Sequence, residues 1–164
     1  MEFTFRIATK KDKEKISFLV EKLAEYERKK TEEIHLTLDK IEAHGFGKNK
    51  YFYVLLAEYK KKPAGYALYF FSYSAPEAAP VLYVEDLFVT EMYQNQGLGT
   101  ALLSYLARLA LEKQCCRMEG HAFTWNKKSI HFYEFLGAHP RTDLLQFRLA
   151  GDSLERLAAG KLGQ

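Results

Sequence analysis

The stretch from Val81 to Val89 constrains this chain more than any other. It reads Val-Leu-Tyr-Val-Glu-Asp-Leu-Phe-Val, and its apolar residues fall at both odd and even positions. A strand with one wet face alternates, whereas a run apolar on both sides reads as a strand covered on both faces. Strand alternation puts Val81, Tyr83, Leu87 and Val89 on one face and Leu82, Val84 and Phe88 on the other. Glu85 and Asp86 interrupt the run side by side, on opposite faces. A carboxylate withdrawn from water is costly unless it is paired, hydrogen-bonded or neutralised. Burial is expected to raise the Glu85 pKa toward neutrality, which suits a proton acceptor. The alternative for Glu85 is a structural carboxylate bonded to a tyrosine or arginine of a neighbouring strand.

The segment after this strand suggests a ligand. Thr90 to Tyr93 form a short loop, and Gln94, Asn95, Gln96, Gly97, Leu98, Gly99 and Thr100 form a turn. The turn opens a helix with apolar residues at 98, 102, 105, 106 and 109 on one face. A helix start offers unpaired backbone N–H groups and a partial positive charge, so it can hold a phosphate. Glycine at 97 and 99 would let the phosphate come close and permits positive φ. No Gly-Lys-Ser/Thr comes after it, as a nucleotide P-loop needs, and no third glycine completes a dinucleotide fingerprint.

Gln-x-x-Gly-x-Gly after a long buried strand resembles the acetyl-CoA pyrophosphate loop of the GNAT superfamily of N-acetyltransferases. The likeness narrows to the diamine (spermidine/spermine) N-acetyltransferase branch. It is carried by Leu23-Ala-Glu-Tyr26-Glu27, His44-Gly-Phe-Gly47, Tyr69-Phe-Phe, Tyr83-Val-Glu85-Asp86-Leu-Phe-Val89, Trp125-Asn126 and Phe132-Tyr133, in that order. The resemblance implies one GNAT domain over residues 1–164, an α/β (α+β) fold whose mixed, mostly antiparallel sheet is flanked by helices. It also implies acetyl-CoA as co-substrate and a homodimer. Two places depart from the polyamine pattern: Ala75-Pro76-Glu77 stands where that branch offers Asp-Pro-Trp, and Leu144-Leu145 stands where it tends to carry glutamates.

The rest of the chain agrees with such a fold. Phe3 to Ile7 alternates as a first strand, and Thr9 with Asp12 resembles a capping box. The next helix has Ile16, Leu19, Val20, Leu23 and Tyr26 on one face. A short helix over Thr37–His44 is expected to stop at Gly45. Strands over 51–59 and 64–73 form a meander, with Lys60-Lys-Lys-Pro63 as the turn between them and Ala75–Pro80 as a loop. A further strand is expected over Cys115–Phe123, a helix from Asn126 to Leu136 ended by Gly137, and a last helix over Ser153–Ala159.

Composition excludes several classes. Hydrophobic residues make up 48% of the chain, which argues against disorder. No apolar run approaches the ~20 residues of a membrane span, and no basic-then-apolar leader pattern stands at Met1. A net charge of +3 with mixed signs does not suggest a nucleic-acid partner, and the run Glu27-Arg-Lys-Lys30 reads as solvated surface. Cys115 and Cys116 are adjacent, so they are poor disulfide partners, and they are read as packing residues in a reducing cytoplasm. The histidines at 35, 44, 121, 131 and 139 lack metal-ligand spacing, so no metal is expected.

N-acetyl transfer needs a neutral amine, a polarised thioester and a protonated leaving thiolate. Glu85 is the candidate base, directly or through water; His121 reads as structural, with a second base as its alternative, and Asp86 is placed to hold a substrate cation or a structural donor. Backbone N–H groups of Leu87, Phe88 and Val89 would bind the pantetheine arm and polarise the thioester carbonyl. The resemblance assigns Asn126 and Ser129 to the CoA arm, Tyr133 to the reacting sulfur as general acid, and Tyr26 and Glu27 to the amine. A plain helix cap and an aromatic core contact remain the structural alternative for Asn126 and Tyr133. The implied reaction is acetyl transfer to a primary amine of a small molecule, polyamine-like or lysine-like. Acetylation of a protein lysine or N-terminus, or acyl-CoA sensing without turnover, are the rivals.

Overall fold

The computed structural model describes residues 2–161; Met1 and residues 162–164 lie outside the described residues. The chain divides into two compact units, Met1–His121 and Ala122–Gln164.

The first unit is a five-stranded sheet in the order β1-β2-β3-β4-β5. Its strands are β1 (Thr4–Ile7), β2 (Tyr53–Tyr59), β3 (Lys62–Ser74), β4 (Ala79–Val89) and β5 (Arg117–Gly120). The first four pair antiparallel and β5 joins β4 in parallel. Antiparallel neighbours need only tight turns; the parallel step needs a crossover, supplied here by the helix α3 (Leu98–Glu112). Two further helices belong to this unit, α1 (Lys13–Tyr26) and α2 (Leu38–Ile41).

Each face of the sheet has its own core. Leu98, Leu102, Leu106 and Ala110 of α3 pack with Leu55, Ala57, Ala67, Tyr69, Leu82 and Val84. Ile16 and Leu19 of α1 and Ile41 of α2 pack with Val54, Leu56, Tyr66, Leu68 and Phe88. Leu102 and Leu106 are fully buried, each contributing roughly 1.5–3 kcal/mol of hydrophobic stabilisation.

β4 departs from simple alternation. Leu68 pairs with Asp86 but Tyr69 pairs with Val84, so Glu85 has no partner on β3. It is the extra residue of a β-bulge. Leu82 and Val84 face α3 before it; Leu87 and Val89 face α3 after it. Phe88 lies on the α1/α2 side. The faces expected from strict alternation therefore hold only up to Val84.

Other boundaries differ for local reasons. Gly45 does not stop a helix: α2 runs on through a π-turn over Glu42–Phe46. The glycine is needed there because a Cβ would sit 2.9 Å from Cε2 of Phe52. The β2–β3 turn is made by Lys60 and Lys61, both at positive φ, and Pro63 already pairs with Glu58. Pro80 likewise lies inside β4, opposite Tyr73. β5 is shorter than expected, four residues against nine. Cys115 is half-buried, its thiol raised by burial, but Cys116 is exposed and so is not a packing residue.

The second unit holds α4 (Lys127–Phe135) and α5 (Gly151–Ala158). Asn126 caps α4, its Oδ1 accepting from the Ser129 N–H at 3.1 Å. Gly137, at φ +87, ends it, with the Gly137 and Ala138 N–H groups donating to Glu134 and Tyr133 carbonyls. Residues 138–150 carry no regular structure. None of the described residues of this unit is buried, and Phe135, Leu145 and Phe147 are each more than 80% exposed. Among the described residues no helix is long and apolar enough to cross a membrane.

Candidate active site

The bulge lies where β4 leaves β5. The last β4–β5 pair is Val84 with Gly120, so from Glu85 onward that edge of β4 has no strand partner among the described residues. Leu87, Phe88 and Val89 still pair with β3 on the other side. The open edge is the feature that would let backbone groups of these three residues bind an extended amide chain, as expected for pantetheine. The Phe88 side chain is buried in the core, which leaves only its backbone for that purpose.

Of the two carboxylates expected to be withdrawn from water, only one is. Glu85 is exposed, because the bulge turns it out of the ladder. The expectation that burial would tune Glu85 is thus corrected. Asp86 is the withdrawn one, and the Tyr66 hydroxyl donates to its Oδ2 at 2.9 Å. Burial pushes the Asp86 carboxyl up to about 6, opposed by the Tyr66 hydrogen bond and reinforced by the charges of Glu85 and Glu27. Tyr66 is fully buried, and burial together with the Asp86 charge holds its phenol protonated. The end of α1 approaches the same place: the Tyr26 ring lies 6.4 Å from that of Phe88, and Glu27 is ion-paired with Lys29. Tyr26, Glu27 and Asp86 are therefore brought together. Tyr66 and Lys29 join them without a sequence signal of their own: Tyr66 is one aromatic among many in β3, and Lys29 sits in a basic run.

The glycine turn has the form a diphosphate requires. Gly97 adopts φ +77 as the N-cap of α3, and a Cβ placed there would meet nothing within 4 Å, so the space in front of it is open. The first intrahelical bond is Ala101 N–H to the Gly97 carbonyl, so the N–H groups of Leu98, Gly99 and Thr100 have no partner within the helix. Leu98 gives only its backbone, its side chain being 3% exposed in the core. Asn95 is also at positive φ. Gln94 Nε2 donates to the Val89 carbonyl at 3.0 Å, tying the turn to the end of β4, and Gln96 Nε2 donates to the Met92 carbonyl. These residues fit a CoA-type diphosphate.

Asn126, Ser129 and Tyr133 belong to the second unit. Asn126 and Ser129 meet through the cap, and the Tyr133 ring packs 5.6 Å from Phe132. In the first unit, His121 Nδ1 lies 3.0 Å from the Tyr83 hydroxyl, and the Tyr83 phenol is raised by burial and then by Glu85 and Glu119.

Comparison with known proteins places this geometry in context. Residues 16–138 match the model of the Acetyltransferase (GNAT) family. The chain is 35% identical to a mouse thialysine N-epsilon-acetyltransferase, covering 93% of this chain and 95% of that one. It is 36% identical to human spermidine/spermine N(1)-acetyltransferase-like protein 1 over 83% of this chain and 20% of that protein. Among solved structures, an aminoglycoside N-acetyltransferase in complex with CoA superposes with a TM-score of 0.72 at 18% identity, covering 90% of this chain and 95% of that one, a likeness of fold.

Proposed function

Because the chain belongs to the acetyltransferase (GNAT) family and is an acetyltransferase, we propose that it transfers acetyl from acetyl-CoA to a primary amine of a small molecule, a diamine or a lysine-like compound. The observation that carries this reading is the bulge at Glu85. One chain irregularity opens the edge of β4, exposes one carboxylate and turns its neighbour inward. The fold neighbour with CoA and the relatives named for thialysine and spermidine/spermine support it.

Acetyl-CoA supplies an activated acetyl thioester; the Gln94–Thr100 turn would hold its diphosphate, with Asn126 and Ser129 toward its arm. An alkylamine of pKa about 10 arrives protonated at neutral pH. Asp86 seats the ammonium, and Glu85, open to solvent, takes its proton directly or through a water. The amine nitrogen then bonds to the acetyl carbon as the carbon–sulfur bond breaks. Tyr133 gives its proton to the departing thiolate, and the second proton that the nitrogen sheds on becoming an amide passes through water to restore the Tyr133 phenol, while Glu85 returns its own proton to solvent. N–H groups of Leu87 to Val89 polarise the thioester oxygen. Tyr26 and Glu27 complete the amine seat.

We place the protein in the cytoplasm as a homodimer. Two free cysteines agree with a reducing compartment, and the uncovered apolar side chains of the second unit agree with a second copy covering them. Light scattering on the purified chain should give twice 19.0 kDa; a monomer refutes the dimer.

The function is tested by thiol release from acetyl-CoA with spermidine, putrescine, lysine, thialysine, an aminoglycoside and a histone-like peptide. Turnover on a small amine, reduced by about 10²-fold or more in Glu85→Gln and in Tyr133→Phe, is expected. Turnover on the peptide alone replaces the reading with protein acetylation. CoA binding without any turnover replaces it with a sensor.

A further inference from the structure

The glycine turn is slung between two buried pegs. From Tyr93 to Leu98 only the two end residues are buried; Asn95, Gln96 and Gly97 are exposed and Gln94 is half-buried. Within the turn Asn95 (φ +59) and Gly97 (φ +77) are both left-handed. A non-glycine residue holds that conformation at a cost, and persists in it where its surroundings fix the chain on both sides. Leu98 fixes one side, seated with Leu102 and Leu106 in the α3 core.

The other side is fixed by aromatic rings from distant parts of the sequence. The Tyr93 ring stands edge-on to that of Phe3, at 5.5 Å and 83°, and lies 5.7 Å from that of Tyr59. Phe3 and Tyr59 are themselves 5.7 Å apart, so the three rings close a triangle. Phe3 precedes β1 and Tyr59 ends β2. Hydrogen bonds hold the same loop to nearer strands: the Thr90 N–H and Oγ1 both donate to the Ala64 carbonyl, and Gln94 Nε2 donates to the Val89 carbonyl. Those bonds tie the loop to the start of β3 and the end of β4. The ring triangle ties it to β1 and β2.

We propose that Phe3, acting through Tyr93, is a positioning residue for the diphosphate: the Phe3–Tyr59–Tyr93 triangle presets the turn, so that the N–H groups of Leu98, Gly99 and Thr100 stand ready before the ligand arrives. This rests on the reading of the turn as the acetyl-CoA diphosphate site. Such preorganisation strengthens binding by removing the cost of ordering the turn on association. The contacts are made by the rings, so the Tyr93 hydroxyl is dispensable to this role.

The first readout is calorimetric titration of the full chain with CoA, which needs no turnover. The second is kcat and KM with acetyl-CoA and with S-acetylpantetheine, which carries the thioester without the diphosphate, using the best amine of the panel above. Tyr93→Leu should weaken CoA binding and raise KM for acetyl-CoA by about tenfold, the scale of one lost aromatic contact. Its kcat, its KM for the amine and its kcat/KM with S-acetylpantetheine should match the unaltered protein. Phe3→Ala leaves Tyr93 and the turn itself intact and should weaken CoA binding by about threefold to tenfold. Tyr93→Phe should behave as the unaltered protein, and Phe3→Ala with Tyr93→Leu should be no weaker than Tyr93→Leu alone. Equal losses with acetyl-CoA and S-acetylpantetheine, or unchanged CoA binding in Phe3→Ala, overturn the positioning role and leave the acetyltransferase reading standing. CoA binding that follows these expectations without turnover on any amine overturns that reading and keeps the role of Phe3. Absence of CoA binding by the unaltered protein overturns both.

Discussion

Two places in the first unit take acidic side chains out of water, and they handle the charge in opposite ways. At the start of the sheet, Asp12 and Glu58 are each 4% exposed. Arg6 donates to both, through Nη1 and Nη2 to Asp12 and through Nε to Glu58, and Lys15 adds a second cation to Glu58. Asp12 is held far below the ordinary carboxylate range, the Arg6 hydrogen bonds being the largest influence. For Glu58 burial is the largest influence and pushes upward, but Lys15 and Arg6 together outweigh it. In the middle of β4, Asp86 receives one hydrogen bond, from a neutral phenol, and burial prevails. The difference separates acids that hold a structure from an acid left able to act. Full cationic pairing ties β1, β2 and the start of α1 together and consumes the charge. A single neutral donor fixes the direction of Asp86 and leaves its charge for an incoming cation.

The comparison breaks most visibly at Asp12. Asp12→Asn should cost about 2–3 kcal/mol of stability, below the full cost of breaking a buried pair because Arg6 reaches solvent. Urea melts check this, and kcat of the folded fraction should be unchanged. Asp86→Asn should do the reverse. We expect kcat/KM to fall about tenfold to a hundredfold, mainly through KM, while stability at pH 7 and above is kept or raised. A large loss of stability in Asp86→Asn would erase the distinction.

A smaller effect sharpens it. Tyr66→Phe removes the hydrogen bond that opposes the effect of burial, so the acidic limb of kcat/KM, centred near about 6, should move up by about one pH unit. An unmoved limb would show that Tyr66 does not govern Asp86. Stability against pH gives opposite slopes for the two sites. Asp12 binds its proton more weakly folded than unfolded. Its contribution is complete above the unfolded value near ~4 and is lost as pH falls below it. Asp86 binds its proton more tightly folded, so between ~4 and about 6 its contribution declines as pH rises and then levels off. Stability curves against the unaltered protein should be furthest apart above ~4 and converge at acid pH for Asp12→Asn, and should diverge between ~4 and about 6 and then run parallel for Asp86→Asn. The smallest effect is expected at Glu85: because it is exposed, Glu85→Gln should change stability by less than ~0.5 kcal/mol while still removing turnover.

Much of this was legible in the residues. The doubly apolar strand, the meander before it and the glycine turn into α3 depend on local pattern, and pattern is written in sequence order. Asn126 as a cap and Gly97 at positive φ come from single-residue chemistry. What was hidden is long-range. Nothing in Val-Glu-Asp-Leu says that one residue will be skipped by β3, so Glu85 is expected to be withdrawn from water and stands exposed. Nothing local pairs Tyr66 with Asp86 twenty positions later. Gly45 reads as a stop because the Phe52 ring packed against it lies outside any helical window.

The unpaired residue in β4 also acts as a counting device. Up to Val84 the even positions serve the α3 core, and beyond it the odd ones do. The two halves of the strand are written in opposite phase, and only the insertion reconciles them. Flattening the bulge with Glu85 kept in the ladder would send Leu87 and Val89 to the wrong layer and bring Phe88 out of the α1/α2 core, whereas deleting Glu85 would leave all three in their layers and remove the bulge with its carboxylate. The apolar pattern of the strand is thus written around Glu85 as a silent letter: it tolerates any residue there that is left out of the ladder, and the carboxylate is free to serve the site.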